Sequence, residues 1–573
     1  MVRVVRRMRR SLVMSSMRKI LPAFAFLLFA GRALAFNHQA IVDPTVTGPY
    51  TVACSNVAQD TSRIIPGATA EDYWEGHLVN DQLLYMNQIL SAPQTAVVFN
   101  AVPPDDRSIY PNTANTQVPF VAIVCFPTAN DNPDPAYPLP GSTDVVPHMQ
   151  PAGTAPKVLA NLRFPMIVYS HGLGGSPIGS GYIQSMVALA SNGYVVAGVF
   201  HADNRFSRVQ INNLSDFWYL LTQYDRVAEM MLMRPVALKA MTDVLLANPQ
   251  YSAAIDPDRI AGFGASLGGQ AIANLMGAKL TTSLGLSCRE TVRDPRIKVG
   301  VGYVPYSGQT FLPAFCDNQS GAAEVTRPYL AIAGTADTTA PLECTKLAVD
   351  QFKGTRYLVE LIDGQHELRP EDIGDLFTWM VTFYKAYLEQ QPAAYAKLFR
   401  MDSVVGGRED HLIVDSHWPD SIGANELRVT ELHNEQIDRY FLEPDATEVN
   451  AMLTGSAGPG WDTTGYAFKA WASLPSDVST CSYLPGSELA RECGSFKQPG
   501  RWIFDASAEF FIEAADATGN CPDGRLIVNR VYNPSLALSR NVSSLRLVTS
   551  DSAAKDMVAN GWVLLPATMC ARY

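Results

Sequence analysis

Residues 164–388 alternate short apolar runs with longer stretches of helical periodicity. Most of these runs are continuously apolar, which is typical of strands in a sheet that is covered on both faces. Strands that alternate with helices indicate βαβ units and a mostly parallel sheet. Strands are predicted at residues 166–170, 194–200, 260–264, 299–304, 329–333 and 357–362, with helices between them, for example at 234–247 and 374–390.

One pentapeptide in this region, Gly264-Ala-Ser-Leu-Gly268, has the pattern Gly-x-Ser-x-Gly. A strand-like run precedes it and a helix-like run, 269–276, follows it, which is the context of a nucleophile elbow. Glycines two positions before and after Ser266 avoid collisions with the neighbouring strand and helix at this sharp turn. The alternative is a glycine-rich turn with an ordinary serine, but the flanking runs favour a nucleophile.

A serine hydroxyl is a weak nucleophile until a base removes its proton. The α/β-hydrolase order is Ser, acid, His, and His366 is the histidine that follows the strand predicted at 357–362. Asp337 follows the preceding strand and is the predicted orienting acid. Asp363 is a rival, although a carboxylate three residues before His366 in one loop is poorly placed to reach its Nδ1.

A tetrahedral intermediate needs two hydrogen-bond donors aimed at its oxyanion. The backbone N–H of Leu267, directly after the nucleophile, is one predicted donor. The other is the N–H of Leu173, in the loop His171-Gly-Leu-Gly-Gly175 that follows the strand at 166–170. His171 precedes the nucleophile and ends a strand, so we interpret it as structural.

Two further groups of residues stand out in the same region. His201, with Asp203 two residues on, ends a predicted strand, and a loop or core histidine is favoured over a metal ligand because no third ligand can be assigned. Met230, Met231 and Met233 are predicted to pack one face of a helix. A lipid-facing role is the alternative, because methionine-rich surfaces bind varied apolar ligands.

The segments 164–175, 234–245 and 262–269, with the strand that ends at His201, resemble the platelet-activating factor acetylhydrolase and predicted dienelactone hydrolase group. The likeness covers roughly residues 48–388. It implies an α/β-hydrolase fold, with a mostly parallel sheet and helices on both faces. The site residues that it implies are catalytic Ser266, Asp337 and His366 and the oxyanion-hole residues Leu173 and Leu267. Many relatives have His before the nucleophile, whereas this chain has Ala265, which weakens any assignment of a particular substrate.

Charge and composition exclude some classes of protein. With 47% hydrophobic and 17% charged residues, the chain is not of the disordered type. The formal net charge is −11, and residues 1–35 hold eight Lys or Arg and no Asp or Glu, so residues 36–573 carry −19. A chain this acidic repels phosphates, so no nucleic-acid partner is expected. The predicted chemistry needs no metal or organic cofactor.

The beginning of the chain resembles a secretory signal peptide. A basic segment ends at Lys19, an apolar run covers residues 21–30, and Ala33-Leu-Ala35 supplies small residues for cleavage. Ten apolar residues are too few to span a bilayer, which takes about 20 in a helix. We therefore predict a secreted protein, extracellular or periplasmic, without stable membrane insertion; an uncleaved anchor is the alternative.

The end of the chain contains a degenerate repeat. Gly460-Trp461, Gly500-Arg-Trp502 and Gly561-Trp562 mark three copies, and they resemble a repeat module at the ends of secreted bacterial proteins. The predicted organisation is a signal peptide (1–35), an α/β-hydrolase catalytic domain (36–400), a linker (401–425) and a smaller β-rich C-terminal repeat domain (426–573). Surface or glycan binding by this last domain, or simple packing on the enzyme, is expected.

Nine cysteines accompany the export signal, so disulfides are expected. The predicted pairs in the last hundred residues are Cys481–Cys493 and Cys521–Cys570, and the five cysteines upstream leave one unpaired. Taken together, the sequence predicts a secreted serine hydrolase of the esterase or lipase type that cleaves carboxylic esters. The alternatives are a polyester depolymerase with the same mechanism, a peptidase or amidase on the same residues, and a non-catalytic binding protein on a hydrolase scaffold.

Overall fold

The computed structural model describes most of the chain from residue 40 onwards. The described residues are 40–55, 78–79, 82–83, 97–138, 144–207, 214–473, 481–483, 502–505 and 510–572, without the gaps at 151–153, 160, 180, 420–421, 435, 438, 517, 523–524, 534–544 and 567–568. The predicted signal peptide and Cys493 lie outside these residues. None of the described helices combines the length and apolar character needed to cross a bilayer.

A ten-stranded sheet forms the larger part of the fold. Its strands are β1 (Thr51–Cys54), β2 (Val97–Ala101), β3 (Val118–Thr128), β4 (Phe164–Ser170), β5 (Val195–Phe200), β6 (Ile255–Ala265), β7 (Ile297–Tyr303), β8 (Tyr329–Gly334), β9 (Arg356–Leu361) and β10 (Asp410–Ser416). The order is β1-β3-β5-β4-β6-β7-β8-β9-β10, with β2 also paired to β3. All six strands predicted between residues 166 and 362 are confirmed, each to within a few residues.

The centre of the sheet is parallel and its margins are antiparallel. Strands β5, β4, β6, β7, β8 and β9 run parallel to their neighbours. Strand β3 is antiparallel to β5, and β10 is antiparallel to β9. The carboxyl ends of all the parallel strands therefore meet at one edge, where ligands bind in open α/β sheets.

Helices cover both faces of this sheet. They are α1 (Tyr182–Ser191), α2 (Leu214–Thr222), α3 (Tyr224–Ala247), α4 (Leu267–Leu275), α5 (Leu342–Gln351), α6 (Ile373–Tyr387) and α7 (Pro392–Leu398). Strand β4 shows the alternation: Ile167 and Tyr169 pack in one buried cluster with α1 and α6, and Met166 and Val168 pack in the other with α3, α4 and α5. This architecture is α/β-hydrolase-like, as expected.

Helix α3 begins ten residues before the predicted start at residue 234. A proline in the interior of a helix cannot donate the backbone hydrogen bond of its position. The helix nevertheless runs through Pro235, which is buried along with most residues of its central turns. Tertiary packing compensates for the backbone hydrogen bond that the proline cannot donate.

The segment expected to be a linker, 401–425, contains two strands. Met401–Val404 pairs in parallel with Ala40–Val42, and β10 extends the main sheet beside β9. Only three residues of β10, Leu412-Ile413-Val414, are apolar, with two polar residues on each side, so the apolar run is shorter than in the central strands. Four further two-stranded pairs lie at Leu78–Val79 and Gln82–Leu83, Tyr137–Pro138 and Val145–Val146, Leu280–Thr281 and Cys288–Arg289, and Gly308–Gln309 and Leu312–Pro313.

Two segments of the C-terminal part have the same order of elements. The first consists of β11 (Glu426–Asn434), β12 (Arg439–Glu443), α8 (Ala446–Leu453) and β13 (Trp461–Trp471). The second consists of β18 (Asn529–Tyr532), β19 (Leu545–Val548), α9 (Asp551–Ala559) and β20 (Val563–Leu565). In each, the first strand lies between the other two and pairs antiparallel with both. Trp461 is the first residue of β13 and Trp562 directly precedes β20, so the two tryptophans occupy similar places in the two segments.

The remaining C-terminal strands join the first segment in an eight-stranded sheet. They are β14 (Cys481–Tyr483), β15 (Trp502–Asp505), β16 (Phe510–Ala514), β17 (Arg525–Ile527) and β21 (Met569–Arg572), and the order is β12-β11-β13-β21-β16-β15-β14, with β17 paired to β21. This part of the chain is β-rich. The carboxylate of Asp415, on β10, accepts hydrogen bonds from Ser550 Oγ (3.0 Å), Asp551 N (3.0 Å) and Ser552 N (2.8 Å) at the start of α9.

Three disulfides lie in the described residues: Cys54–Cys125, Cys288–Cys316 and Cys521–Cys570. The predicted Cys521–Cys570 pair is thereby confirmed. Cys344, on α5, is a free and buried thiol, so it is the odd member of the upstream five. The predicted Cys481–Cys493 pair is not tested, because Cys493 lies outside the described residues.

Candidate active site

Ser266 lies at the turn between β6 and α4, with φ 53° and ψ −121°. A positive φ is strained for a residue with a side chain, and the surrounding contacts must maintain it. The Ser266 N–H donates to Tyr303 O at 3.0 Å, and its carbonyl accepts from Tyr306 N at 3.0 Å. A Cβ on Gly268 would lie 1.9 Å from Ser170 O, so only glycine permits this approach of α4 to β4.

The structure brings Ser266, His366 and Asp337 together from three separate loops. His366 Nε2 lies 2.9 Å from Ser266 Oγ, and His366 Nδ1 lies 2.8 Å from Asp337 Oδ2. An ionised carboxylate can only accept, so Nδ1 carries the proton and Nε2 is left to accept from the serine hydroxyl. The Asp337 side chain is fully buried, and that of His366 is 27% exposed.

Hydrogen bonds fix the orientation of the Asp337 carboxylate. Its Oδ1 accepts from Thr339 N and Ala340 N, both at 2.8 Å, which leaves Oδ2 for His366. The rival acid, Asp363, has φ 55°, and its N–H donates to Thr335 Oγ1 at 2.8 Å. The carboxylate that contacts His366 is therefore that of Asp337.

The loops that carry Asp337 and His366 are tied to each other. Ala336 N donates to Gly364 O at 2.9 Å, and Thr335 N donates to Leu361 O at 3.0 Å. A Cβ on Gly334 would lie 2.2 Å from Gly364 O, so this glycine allows the two loops to touch. The acid and the histidine are 29 residues apart in sequence, yet backbone hydrogen bonds join the two loops that carry them.

Both predicted oxyanion-hole residues border the same cavity as Ser266. Leu267 is the first residue of α4, and the N–H groups of a first helical turn have no acceptor within the helix. Leu173 lies in the loop after β4, next to Gly172. A Cβ on Gly172 would come within 3.5 Å of Ser266 Cβ, so this loop passes directly beside the serine.

His171 and His201 lie behind that loop and are buried. Burial and, next, the positive charge of Arg234 together lower the pKa of His171 to about 3. The His171 ring is neutral near pH 7: Nε2 accepts from His201 N at 3.1 Å, and Nδ1 donates to Gly172 O at 2.7 Å. His201 Nε2 lies 2.8 Å from Ser170 Oγ. These contacts connect backbone elements and do not reach Ser266.

The cavity around Ser266 has a volume of about 650 Å³. Apolar side chains from both sides of the sheet line it, so it crosses the sheet edge above the serine. Tyr182, Phe263 and Leu376 belong to one side. Met230 and Met231 of α3 belong to the other, whereas Met233 is buried outside the cavity lining. Pockets of this size and character take small to medium apolar ligands.

The sequence did not predict the contacts of Arg234 and Asp203. The two side chains form a buried ion pair beneath the loop that carries Leu173. They are 31 residues apart, on α3 and after β5. No spacing rule links such positions, and the only available signal was the place of Asp203 at the carboxyl end of a strand.

A family model matches part of the chain. Residues 145–213 match the model of the family described as platelet-activating factor acetylhydrolase, isoform II. The matched segment includes β4, β5 and the loop with Leu173, and it ends before Ser266. No curated protein matches the chain. The matched segment and the fold together indicate an ester hydrolase of the serine esterase or lipase type.

Proposed function

We propose that this protein is a serine hydrolase that cleaves carboxylic esters with apolar groups through an acyl-enzyme. The observation that carries the proposal is the chain of contacts Asp337 Oδ2–His366 Nδ1, 2.8 Å, and His366 Nε2–Ser266 Oγ, 2.9 Å, at the floor of an apolar cavity. A base within hydrogen-bond distance of a serine, itself oriented by a carboxylate, is the arrangement that activates a serine nucleophile.

In the proposed acylation, His366 Nε2 takes the proton of Ser266 as Oγ bonds to the ester carbonyl carbon. The carbonyl electrons move onto oxygen, and the N–H groups of Leu173 and Leu267 stabilise the resulting negative charge. The intermediate then collapses, the bond to the alcohol oxygen breaks, and His366 gives its proton to the departing alcohol. Asp337 stabilises the imidazolium throughout.

In the proposed deacylation, a water molecule replaces the alcohol. His366 removes a proton from this water as its oxygen attacks the acyl carbon. Collapse of the second tetrahedral intermediate breaks the bond to Ser266 Oγ, which recovers its proton from His366. The acid is released and the enzyme returns to its starting state.

The test is turnover of a p-nitrophenyl butyrate substrate together with labelling by a fluorophosphonate probe. We expect the Ser266→Ala variant to lose both, because it removes the attacking oxygen. Ser185→Ala is the matched control: this serine also borders the cavity, but its hydroxyl donates to Gly181 O at 3.0 Å. Labelling that persists in Ser266→Ala would reject the assignment, and absence of turnover across an ester panel would favour a binding protein.

We also propose that the protein acts after export. Two observations support this proposal. The N-terminus resembles a signal peptide, and the described residues contain three disulfides, which persist in oxidising compartments. Expression of the full chain with its N-terminus, followed by N-terminal sequencing of the exported product, tests this. An exported product that begins at Phe36 supports cleavage after Ala35. A product that stays in the cell and still begins at Met1 would contradict the proposal.

A further inference from the structure

A buried ion pair lies beneath the loop that carries Leu173. Arg234 Nη2 lies 2.5 Å from Asp203 Oδ2, and the two side chains are 1% and 2% exposed. Arg234 Nε donates to Asp203 Oδ1 at 3.1 Å as a second contact. Removing two charges from water costs free energy, which good geometry and further hydrogen bonds must offset.

Arg234 Nη1 also donates to Ser170 Oγ at the end of β4, at 3.4 Å, and the other hydrogen bonds of this pair go to the loop that follows β4. Arg234 Nη1 donates to His171 O at 2.5 Å and Nη2 donates to Gly172 O at 2.9 Å. Asp203 Oδ2 accepts from Gly174 N at 3.1 Å. The pair therefore holds the backbone on both sides of Leu173.

The geometry of the peptide group determines where the N–H of Leu173 points. Gly172 C=O and Leu173 N–H belong to one planar trans peptide group, in which the two bonds point in opposite directions. Arg234 Nη2 and His171 Nδ1 both donate to the oxygen of Gly172, and both side chains are buried and do not line the cavity, so this oxygen points away from it. The N–H of Leu173 consequently points towards the side on which the cavity and Ser266 lie.

We propose that Arg234, held in place by Asp203, is a positioning residue that aims the Leu173 N–H at the oxyanion. The proposal rests on the function proposed above, in which that N–H stabilises the tetrahedral intermediate. Arginine suits the task because its planar guanidinium presents donors in fixed directions, here to a carboxylate and two carbonyls together. A lysine at this buried position has a compact ammonium group without a fixed plane, so it cannot reach the carboxylate and both carbonyl oxygens together.

The test compares an ordinary ester with its thionoester, in which sulfur replaces the carbonyl oxygen. Sulfur is a poor hydrogen-bond acceptor, so the thionoester gains little from oxyanion donors. We expect Arg234→Lys to lower kcat for p-nitrophenyl butyrate by about a hundredfold, the cost of one lost oxyanion donor. We expect KM to change little and the thionoester rate to fall much less, so that the ratio of the two rates drops.

The matched control is Arg546→Lys, in a second buried ion pair. Arg546 Nη2 lies 2.5 Å from Glu431 Oε2 in the C-terminal part, away from the cavity. We expect this variant to lower the unfolding temperature and to leave the rate ratio unchanged. If Arg234→Lys does not fold, the double variant Arg234→Met with Asp203→Asn, which removes both buried charges, takes its place.

The outcomes separate this proposal from the proposed function. If the wild type is active and the ratio of ester to thionoester rates is unchanged in the Arg234 variant, Arg234 has a purely structural role. The same holds if both rates fall together. Either result overturns this proposal and leaves the proposed function intact. A wild type that neither turns over the ester nor reacts with the fluorophosphonate overturns the proposed function, and the positioning role with it.

Discussion

Replacement of Asp337 by asparagine would reverse the direction of a hydrogen bond at the centre of the site. Asp337 Oδ1 accepts two backbone N–H groups, from Thr339 and Ala340, each at 2.8 Å. The single oxygen of the asparagine side chain will occupy this position, because an amide NH₂ there would face two donors. The NH₂ group then faces His366 Nδ1 in place of Oδ2.

This reversal determines the tautomer of His366. Nδ1 must now accept from the amide, so the proton of the neutral ring moves to Nε2, the atom that lies 2.9 Å from Ser266 Oγ. An Nε2–H cannot take the serine proton. We expect kcat to fall about 10⁴-fold, the cost of a wrong tautomer in a serine site, which corresponds to about 5 kcal/mol of activation free energy.

The assay is steady-state hydrolysis of p-nitrophenyl butyrate at pH 8, with the thermal unfolding midpoint measured in parallel. KM and the midpoint should change little, since asparagine has nearly the shape of aspartate. Asp363→Asn is the matched control, and it should retain most of the wild-type kcat because its backbone contact with Thr335 is unaffected. A large loss in Asp363→Asn with near-normal kcat in Asp337→Asn would refute the assignment of the acid.

Three further predictions concern packing, pH and specificity. Gly268→Ala places a Cβ 1.9 Å from Ser170 O, so it should lower the free energy of unfolding by about 3 kcal/mol or more and abolish activity. The control is Gly374→Ala, where the nearest atom to the new Cβ is at 3.5 Å and the urea midpoint should equal that of the wild type. Equal urea midpoints for the two variants would contradict this. Burial and neighbouring carboxylates raise the pKa of Asp375 to about 7, so the folded protein binds a proton that the unfolded chain releases near pH 4, and stability falls as pH rises from about 4 to 7. Asp375→Asn should therefore raise the unfolding temperature at pH 8 and not at pH 4, and an equal effect at both values would contradict this. Met231→Trp narrows one side of the cavity, so the acyl length that gives the highest kcat/KM in a series of p-nitrophenyl esters should change. An unchanged dependence on acyl length would show that neither the acyl nor the alcohol group binds beside Met231.

The parallel strands and the loops at their ends were predictable because each depends on local sequence. A continuous apolar run is enough to indicate a strand with two covered faces, and the position of a polar residue after such a run indicates the sheet edge. Ser266, Asp337 and His366 all follow strands in this way. The chain order of these residues then assigned them to one site before any contact between them was known.

Other features depend on contacts that sequence spacing does not encode. Strand β10 has an apolar run of only three residues, so its place beside β9 follows from pairing with a strand about 50 residues earlier. The Arg234–Asp203 pair depends on the register of α3 against β5, and the predicted start of α3 was ten residues too late. Local signals cannot identify a side chain whose role is to hold a distant loop.

The position of Asp415 has a consequence for how the protein melts. This residue belongs to β10, yet its carboxylate accepts three hydrogen bonds at the start of a helix of the C-terminal part, so unfolding of that part alone would break all three. Calorimetry should therefore record a single heat-absorption peak for both parts. Proteolytic removal of residues 426–573 should therefore lower the unfolding temperature of the remaining part.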